Sequence, residues 1–388
     1  MRAIWRAVIV GVLTAASGTL AVAEEPRTAQ RDEPAGKSAE AAARAGVAWL
    51  CRQQGGDGGW HSETYGGLKA GVGNTALALL ALTESGANDA SSRDAIDRGV
   101  LFLTKSVDRD GFVQAPNGAT DYPVYATALL LRVLQRRSLP AETAQRVLIR
   151  EALVRAQRTE RNGWKPDDLD FGGWGHAFRR RDVDRSDPST ISLTSHVLVA
   201  LAGEGPLPAD VQEAALSFLS RCQQRNAPAP LSGGFSFTSY ADDPLNKAGS
   251  FTAPSGSEAP QPYLPPSCDG WLALAACGVS PEADTRTAAM DYLIAATPTL
   301  PEHPTSTSPE RRRQQGLLYY RAAAWAGVWQ ASRDPRLAMG RAALRQTLVS
   351  QQNQDGAWRN PEQSMREDDP LIATSFALMA LSRLSKTE

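Results

Sequence analysis

Four acidic stretches of this chain, Asp121-Tyr122, Asp187, Asp269-Gly270-Trp271 and Asp368-Asp369, each stand just before or at the start of an apolar run with helical spacing. A carboxylic acid kept protonated by neighbouring acids or an apolar wall can give up a proton. An aromatic face beside it can steady positive charge. The same acids at helix starts would also cap unpaired N–H groups at the positive end of the helix dipole, and the two uses are compatible. A second cluster is Tyr319-Tyr320-Arg321 in "QQGLLYYRAAAW". Adjacent helical positions face about 100° apart, so at least one of these tyrosines must look inward. Trp325 lies four residues past Arg321, on its face. His176 follows Trp174 in a glycine turn, and His196 sits inside "LTSHVLVAL", where a hydrogen-bonded core histidine is expected.

Other chemistries are excluded by what is missing. The sequence has no H-E-x-x-H, H-x-x-x-H or G-x-S-x-G, and no G-x-G-x-x-G or P-loop, so no metalloprotease, hydrolase or nucleotide cofactor motif is present. Forty-one basic and 42 acidic residues leave a net charge of −1, which excludes an electrostatic nucleic-acid partner. Cys51, Cys222, Cys268 and Cys277 form no C-x-x-C pair. Cys268 and Cys277 fall on one helix roughly 13 Å apart, too far to bridge, so buried free thiols are expected.

The elements that must position these residues come from a repeat. "QQGGDGGW" ends at Trp60 and "QQNQDGAW" at Trp358. Related turns end at Phe112, Trp164, Trp174 and Phe235. Outer, one-face-polar helices are predicted from near Ser38, Asp94, Glu142, Asp210, Asp284 and Gly340. Helices apolar on nearly every side start near Asn74, Val124, Leu193, Gly270, Leu317 and Ile372. Such helices are surrounded by protein. Six hairpins that bury their apolar faces only against one another predict an all-α fold of two concentric layers, closed into a ring around a central cavity. In the turns, glycine permits the tight backbone, the aromatic residue pins it, and Gln53 and Gln351 are expected to clamp unpaired backbone groups.

The Q-x-x-(D/N)-G-(G/A)-(W/F) turn followed by an apolar helix resembles the repeat of the prenyltransferase and squalene-cyclase family, whose fold is the (α/α)6 toroid. The resemblance covers roughly Ser38 to Leu384, and the stretch "TPTLPEHPTSTSPERRRQQG" departs from it by lacking the glycine-aromatic turn. Protein prenyltransferases of the family hold zinc through Asp, Cys and His. Here Cys268-Asp269 is in reversed order and "DDPLIATSF" has no histidine, which leaves two ligands where three are needed, so no metal is expected. Cyclases of the family use D-x-D-D as the acid. "DDLD", Asp167 to Asp170, is inverted and reads as a solvated loop.

The resemblance therefore implies a terpenoid-cyclase-like protein that takes an apolar, isoprenoid-like molecule and needs no cofactor. As a catalyst it would use Asp269 or the Asp368-Asp369 pair as proton donor, with Trp271 and Tyr320 facing the developing cation. Asp121, Tyr122, Trp174, His176, Tyr319 and Arg321 complete the expected ligand site. The alternative is a non-catalytic module for a lipid, a glycan or a protein partner; a toroid carbohydrate lyase, using Tyr319, Arg321 and His176, is a third class.

Arg2 and Arg6, the apolar run from Ala7 and the Ala21-Val22-Ala23 site read as a signal peptide over residues 1–23. Residues 24–37 read as a disordered leader, and 38–388 as the toroid domain. The mature protein is expected in the periplasm or outside the cell, with at most transient membrane contact.

Overall fold

The computed structural model describes residues 38–116, 121–178, 187–297 and 308–385. The expected signal segment and leader lie outside them. Helices alternate along the chain between an outer and an inner layer. They are α1 (Ala39–Arg52), α2 (Val72–Ser85), α3 (Ala90–Lys105), α4 (Pro123–Arg137), α5 (Thr143–Arg155), α6 (Ile191–Ala202) and α7 (Ala209–Cys222). A short hairpin, β1 (Ser250–Thr252) and β2 (Glu258–Pro260), follows. Then come α8 (Leu264–Ala276), α9 (Asp284–Ala296), the short α10 (Pro309–Gln315), α11 (Leu318–Ser332), α12 (Ala338–Ser350) and α13 (Pro370–Ser385).

Periodicity decides the layer. α7 buries Val211, Ala214, Ala215, Phe218, Leu219 and Cys222, a single stripe at spacings of three and four, and is outer. α2 buries every residue from Val72 to Leu82 and is inner. The inner helices α2, α4, α6, α8, α11 and α13 pack each on the next, and α13 packs back on α2. The ring is closed, as the repeat predicts. Among the described residues no helix is long and apolar enough to cross a membrane, and the four cysteines are free thiols.

The repeated turn is a reusable joint. The amide nitrogens of Gln54, Gln157, Gln223 and Gln352 each donate to a glycine carbonyl in the turn (Gly58, Gly172, Gly233, Gly356) at 2.8–3.2 Å. Each also donates to a carbonyl of the next outer helix: Ala95, Val211, Thr285 and Ala42. The clamps are thus Gln54 and Gln352, one residue beyond the predicted Gln53 and Gln351, because Gln53 and Gln351 end their helices as C-caps. The indoles of Trp60, Trp174 and Trp358 donate to Leu50, Leu153 and Leu348 carbonyls at 2.7–2.8 Å. The backbone N–H of the same tryptophans reaches a threonine hydroxyl on the following inner helix: Thr75, Thr194 and Thr374.

The fifth hairpin, which lacks the turn, solves the problem differently. Trp325 comes from inside α11, donates to Thr297 at the end of α9 (3.3 Å), and lies against Gly340 of α12. Trp60 lies against Gly99 and Trp358 against Gly46 in the same way. Trp325 therefore takes the place of the missing turn aromatic.

Candidate functional site

The N-terminal ends of all six inner helices surround a cavity of about 340 Å³. Its wall is largely apolar and aromatic, with Leu77, Leu193, Phe237, Tyr125, Ile372 and Phe376 among its residues. A second space of about 230 Å³ lies toward the helix C-termini. His196, Tyr320 and Phe376 line both, so the two adjoin along the ring axis. A larger groove, about 870 Å³, lies between α1, the start of α3 and the C-terminal ends of α2 and α13; no imidazole or phenol lines it.

Asp269 lines the second space, together with Arg132, Arg136 and Arg383. The expectation placed it at a helix entrance, but α8 begins at Leu264 with Pro265 and Pro266 in its first turn, which sets Asp269 deeper in the ring. Its Oδ2 accepts from Ser192 (2.6 Å) and Tyr320 (2.5 Å), and Tyr320 is also 2.8 Å from Ser192. Burial raises its carboxyl to about 6, with the two hydroxyls opposing that rise. Trp271 does not share the cavity. Two helical residues rotate the direction by about 200°, so Trp271 points outward, where the Arg286 guanidinium of α9 lies 4.3 Å from its ring centroid.

A single helical step, about 100°, separates the tyrosine pair. Tyr320 faces the cavity, while Tyr319 turns away and reaches the Arg359 carbonyl at 3.4 Å. Arg321 is buried outside both spaces, and Trp174 is wholly enclosed in its turn.

Asp369 and Asp368 stand beside the mouth, not on its wall. Asp369 accepts from Leu371 N (2.9 Å), capping α13, and from the Ser62 hydroxyl. Asp368 accepts from the Tyr65 hydroxyl. Glu367, next in line, does face the cavity. It caps α11, accepting from Tyr319 N (2.9 Å) and Tyr320 N (2.7 Å), and burial holds its carboxyl at about 7. The expected loop acid Asp170 is also buried, against Arg158 (3.3 Å) and the Tyr240 hydroxyl (2.8 Å).

Asp121, Tyr122 and His176 meet at the rim. The Asp121 carboxylate faces the start of α2, at Gly71, Val72 and Gly73, without full hydrogen-bond geometry, and burial raises its carboxyl. Tyr122 takes a left-handed conformation (φ 49°) as the N-cap of α4. Its hydroxyl accepts from Arg366 (2.8 Å), itself at φ 67°. Two strained residues gripping each other across the opening fit a functional rim. His176 packs on Tyr122 (5.1 Å) and its Nδ1 pairs with Asp187 (3.2 Å), which Arg158 anchors from behind.

Among the lining residues that the sequence reading missed are His196, Tyr125, Lys247 and Arg366. His196 is not a satisfied core histidine: its Nε2 has no partner, it packs edge-on against Tyr125 (5.1 Å), and burial pushes its imidazole down to about 3. Tyr125, one turn past Tyr122, was visible as an i, i+3 pair. Lys247 and Arg366 come from loops and carry no periodic signal.

The chain matches no protein-family model and no curated protein. Solved structures with the same fold are numerous. A type II terpene cyclase from Scytonema, MstE, in complex with geranylgeranyl dihydroxybenzoate as substrate, is 13% identical with a TM-score of 0.56, over 89% of this chain and 97% of that one. Cellobiose 2-epimerase from Spirochaeta thermophila is 15% identical with a TM-score of 0.57, over 89% and 96%. A family 76 glycoside hydrolase from a bovine Bacteroides thetaiotaomicron strain is 12% identical with a TM-score of 0.57, over 88% and 77%. At these identities the likeness is one of fold: this chain is an α/α toroid.

Proposed function

We propose that this is an exported toroid that takes an apolar, isoprenoid-like molecule into its axial cavity, with Asp269 as the group that protonates it. The observation that carries the reading is a buried acid on the second axial space, hydrogen-bonded to Tyr320, whose side chain also lines the largely aliphatic and aromatic first cavity. Fold likeness to a terpene cyclase that holds a geranylgeranyl substrate agrees with it but does not carry it. Tyr320, Phe376 and Tyr125 would face a developing cation, the part first assigned to Trp271. Asp121, Tyr122, His176 and Glu367 would form the polar rim.

The test is mass spectrometry of an organic extract of protein purified natively from its own compartment, followed by incubation with farnesol and product analysis. A co-purified isoprenoid and a farnesol-derived product are expected. Asp269→Asn should keep binding and cut conversion by about 100-fold or more, on the scale of acid–base catalysis. Because the acid form is the donor, wild-type conversion should fall as pH rises through about 6. Full activity in Asp269→Asn would remove Asp269 from the role.

A second reading, a carbohydrate ligand, is favoured by the His176–Asp187 pair at the rim and by the two carbohydrate-acting toroids. A clean organic extract with a glycan in the aqueous phase would select it.

A further inference from the structure

Lysine occupies only six of the 41 basic positions: 37, 69, 105, 165, 247 and 386. Lys69, Lys105 and Lys165 are exposed. Lys247 is 6% exposed and lines the axial cavity. Its ammonium lies 3.6 Å from the Phe237 ring centroid, and among the described residues it has neither an ion pair nor a side-chain hydrogen bond. A desolvated charge without an anion is costly, and a buried lysine escapes the cost by losing its proton. Burial accordingly brings the amine down to about 8, with Asp243 and Arg313 opposing each other as distant charges.

An anchor for an anionic ligand would be better made with arginine, which keeps its charge and offers a fork of donors. This chain writes arginine almost everywhere else. The other rim cation, Arg366, is engaged with Tyr122 and the Tyr65 ring. Asn74, 5% exposed on the same wall, leaves its Nδ2 donor unpartnered, so the cavity offers a neutral N–H donor to an oxygen of its ligand. An amine able to deprotonate, an aromatic wall and a spare donor for a carbonyl oxygen suit one reaction.

We infer that Lys247 is a nucleophilic amine that forms a Schiff base with a carbonyl-bearing ligand, an isoprenoid-like aldehyde or ketone. The Nζ lone pair attacks the carbonyl carbon, and the C–N bond forms as the C=O π pair moves to oxygen. A proton passes from nitrogen to oxygen to give the carbinolamine. The C–O bond then breaks, the second nitrogen proton leaves with the departing oxygen as water, and the imine remains. No oxidant or reductant is consumed. The choice of ligand rests on the isoprenoid reading above; the reactivity of the amine does not.

The test is reductive trapping. The full chain is incubated at pH 7.5 with citronellal and cyanoborohydride, digested and mapped by mass spectrometry. Lys247 should be labelled on the order of a hundredfold faster than Lys69, Lys105 or Lys165, in line with its larger neutral fraction. Lys247→Arg should lose that adduct while keeping its circular dichroism; citronellol, the matching alcohol, reports binding by the unsubstituted chain. Citronellol bound but Lys247 labelled no faster than the exposed lysines would overturn the inference alone. If citronellol does not bind, the isoprenoid reading falls; pyruvate trapped selectively at Lys247 would then sustain the amine, and its failure would sink that too.

Discussion

Glu84→Gln is expected to cost about 3–5 kcal/mol, the loss typical of breaking a buried charge cluster by removing one partner. Glu84 lies in the last turn of α2 and is 2% exposed. It accepts from Arg132 of α4 (2.8 Å), from Arg136 (3.3 Å), and from Arg383 of α13 through two nitrogens (2.8 and 3.1 Å). One carboxylate thus ties three inner helices across the point where the ring closes. Burial alone would raise its pKa; the guanidiniums, Arg383 foremost, overcome that and hold it at about 2. A glutamine leaves three guanidiniums around a neutral amide. Thermal unfolding at pH 7 should show a drop of roughly 4–7 °C for a chain of this size. The sign with pH follows from the lowered pKa. The contribution is present above the unfolded value of about 4.5 and is lost as pH falls from there through about 2. The gap between wild type and Glu84→Gln should therefore narrow in acid. Equal stability at pH 7 would mean that the cluster does not hold the ring closed.

The ring itself was legible because its joints are written in the sequence. Glycine and an aromatic residue recur in the turns, and in four of them a glutamine at the end of the outer helix does the same local job. Direction within a helix was harder. Asp269 and Trp271 are close in sequence, yet two helical steps send them to opposite sides of α8. That required the true start of α8, and the two prolines that set it were not used. Tyr320 could be foreseen as one of a pair but not chosen over Tyr319. The rim residues Asp121, Tyr122 and His176 were recoverable because they precede helices or follow turns. Lys247 and Arg366 were not, since long loops carry no period and only the folded ring brings them to the cavity. Its one sequence signal, that lysine is rare in this chain, draws weight only once burial singles out Lys247.

Gly172→Ala should destabilise the protein by at least about 3 kcal/mol, in the range reserved for backbone strain and steric overlap acting together. Gly172 has φ +87°, and a Cβ there would overlap the Ala214 carbonyl of α7. A left-handed conformation alone costs an alanine about 1–2 kcal/mol. The overlap is with backbone, which cannot rotate aside as a side chain would, so α7 must shift outward. The shift would strain the Gln157 clamp, which joins the Gly172 carbonyl (3.0 Å) to that of Val211 on α7 (2.9 Å). Gly58, Gly111, Gly233 and Gly356 share the positive φ and the approach to the next outer helix, so the effect belongs to the joint. Gly56 is the control. It lies in an equivalent turn, but its φ is not in the left-handed range and nothing lies within 4 Å of the added carbon. Gly56→Ala should be neutral or slightly stabilising through the unfolded chain. Denaturant unfolding of the two variants decides the matter. Similar midpoints would show that α7 gives way at little cost, and that close approach of turn to helix is not what sets the spacing between the two layers.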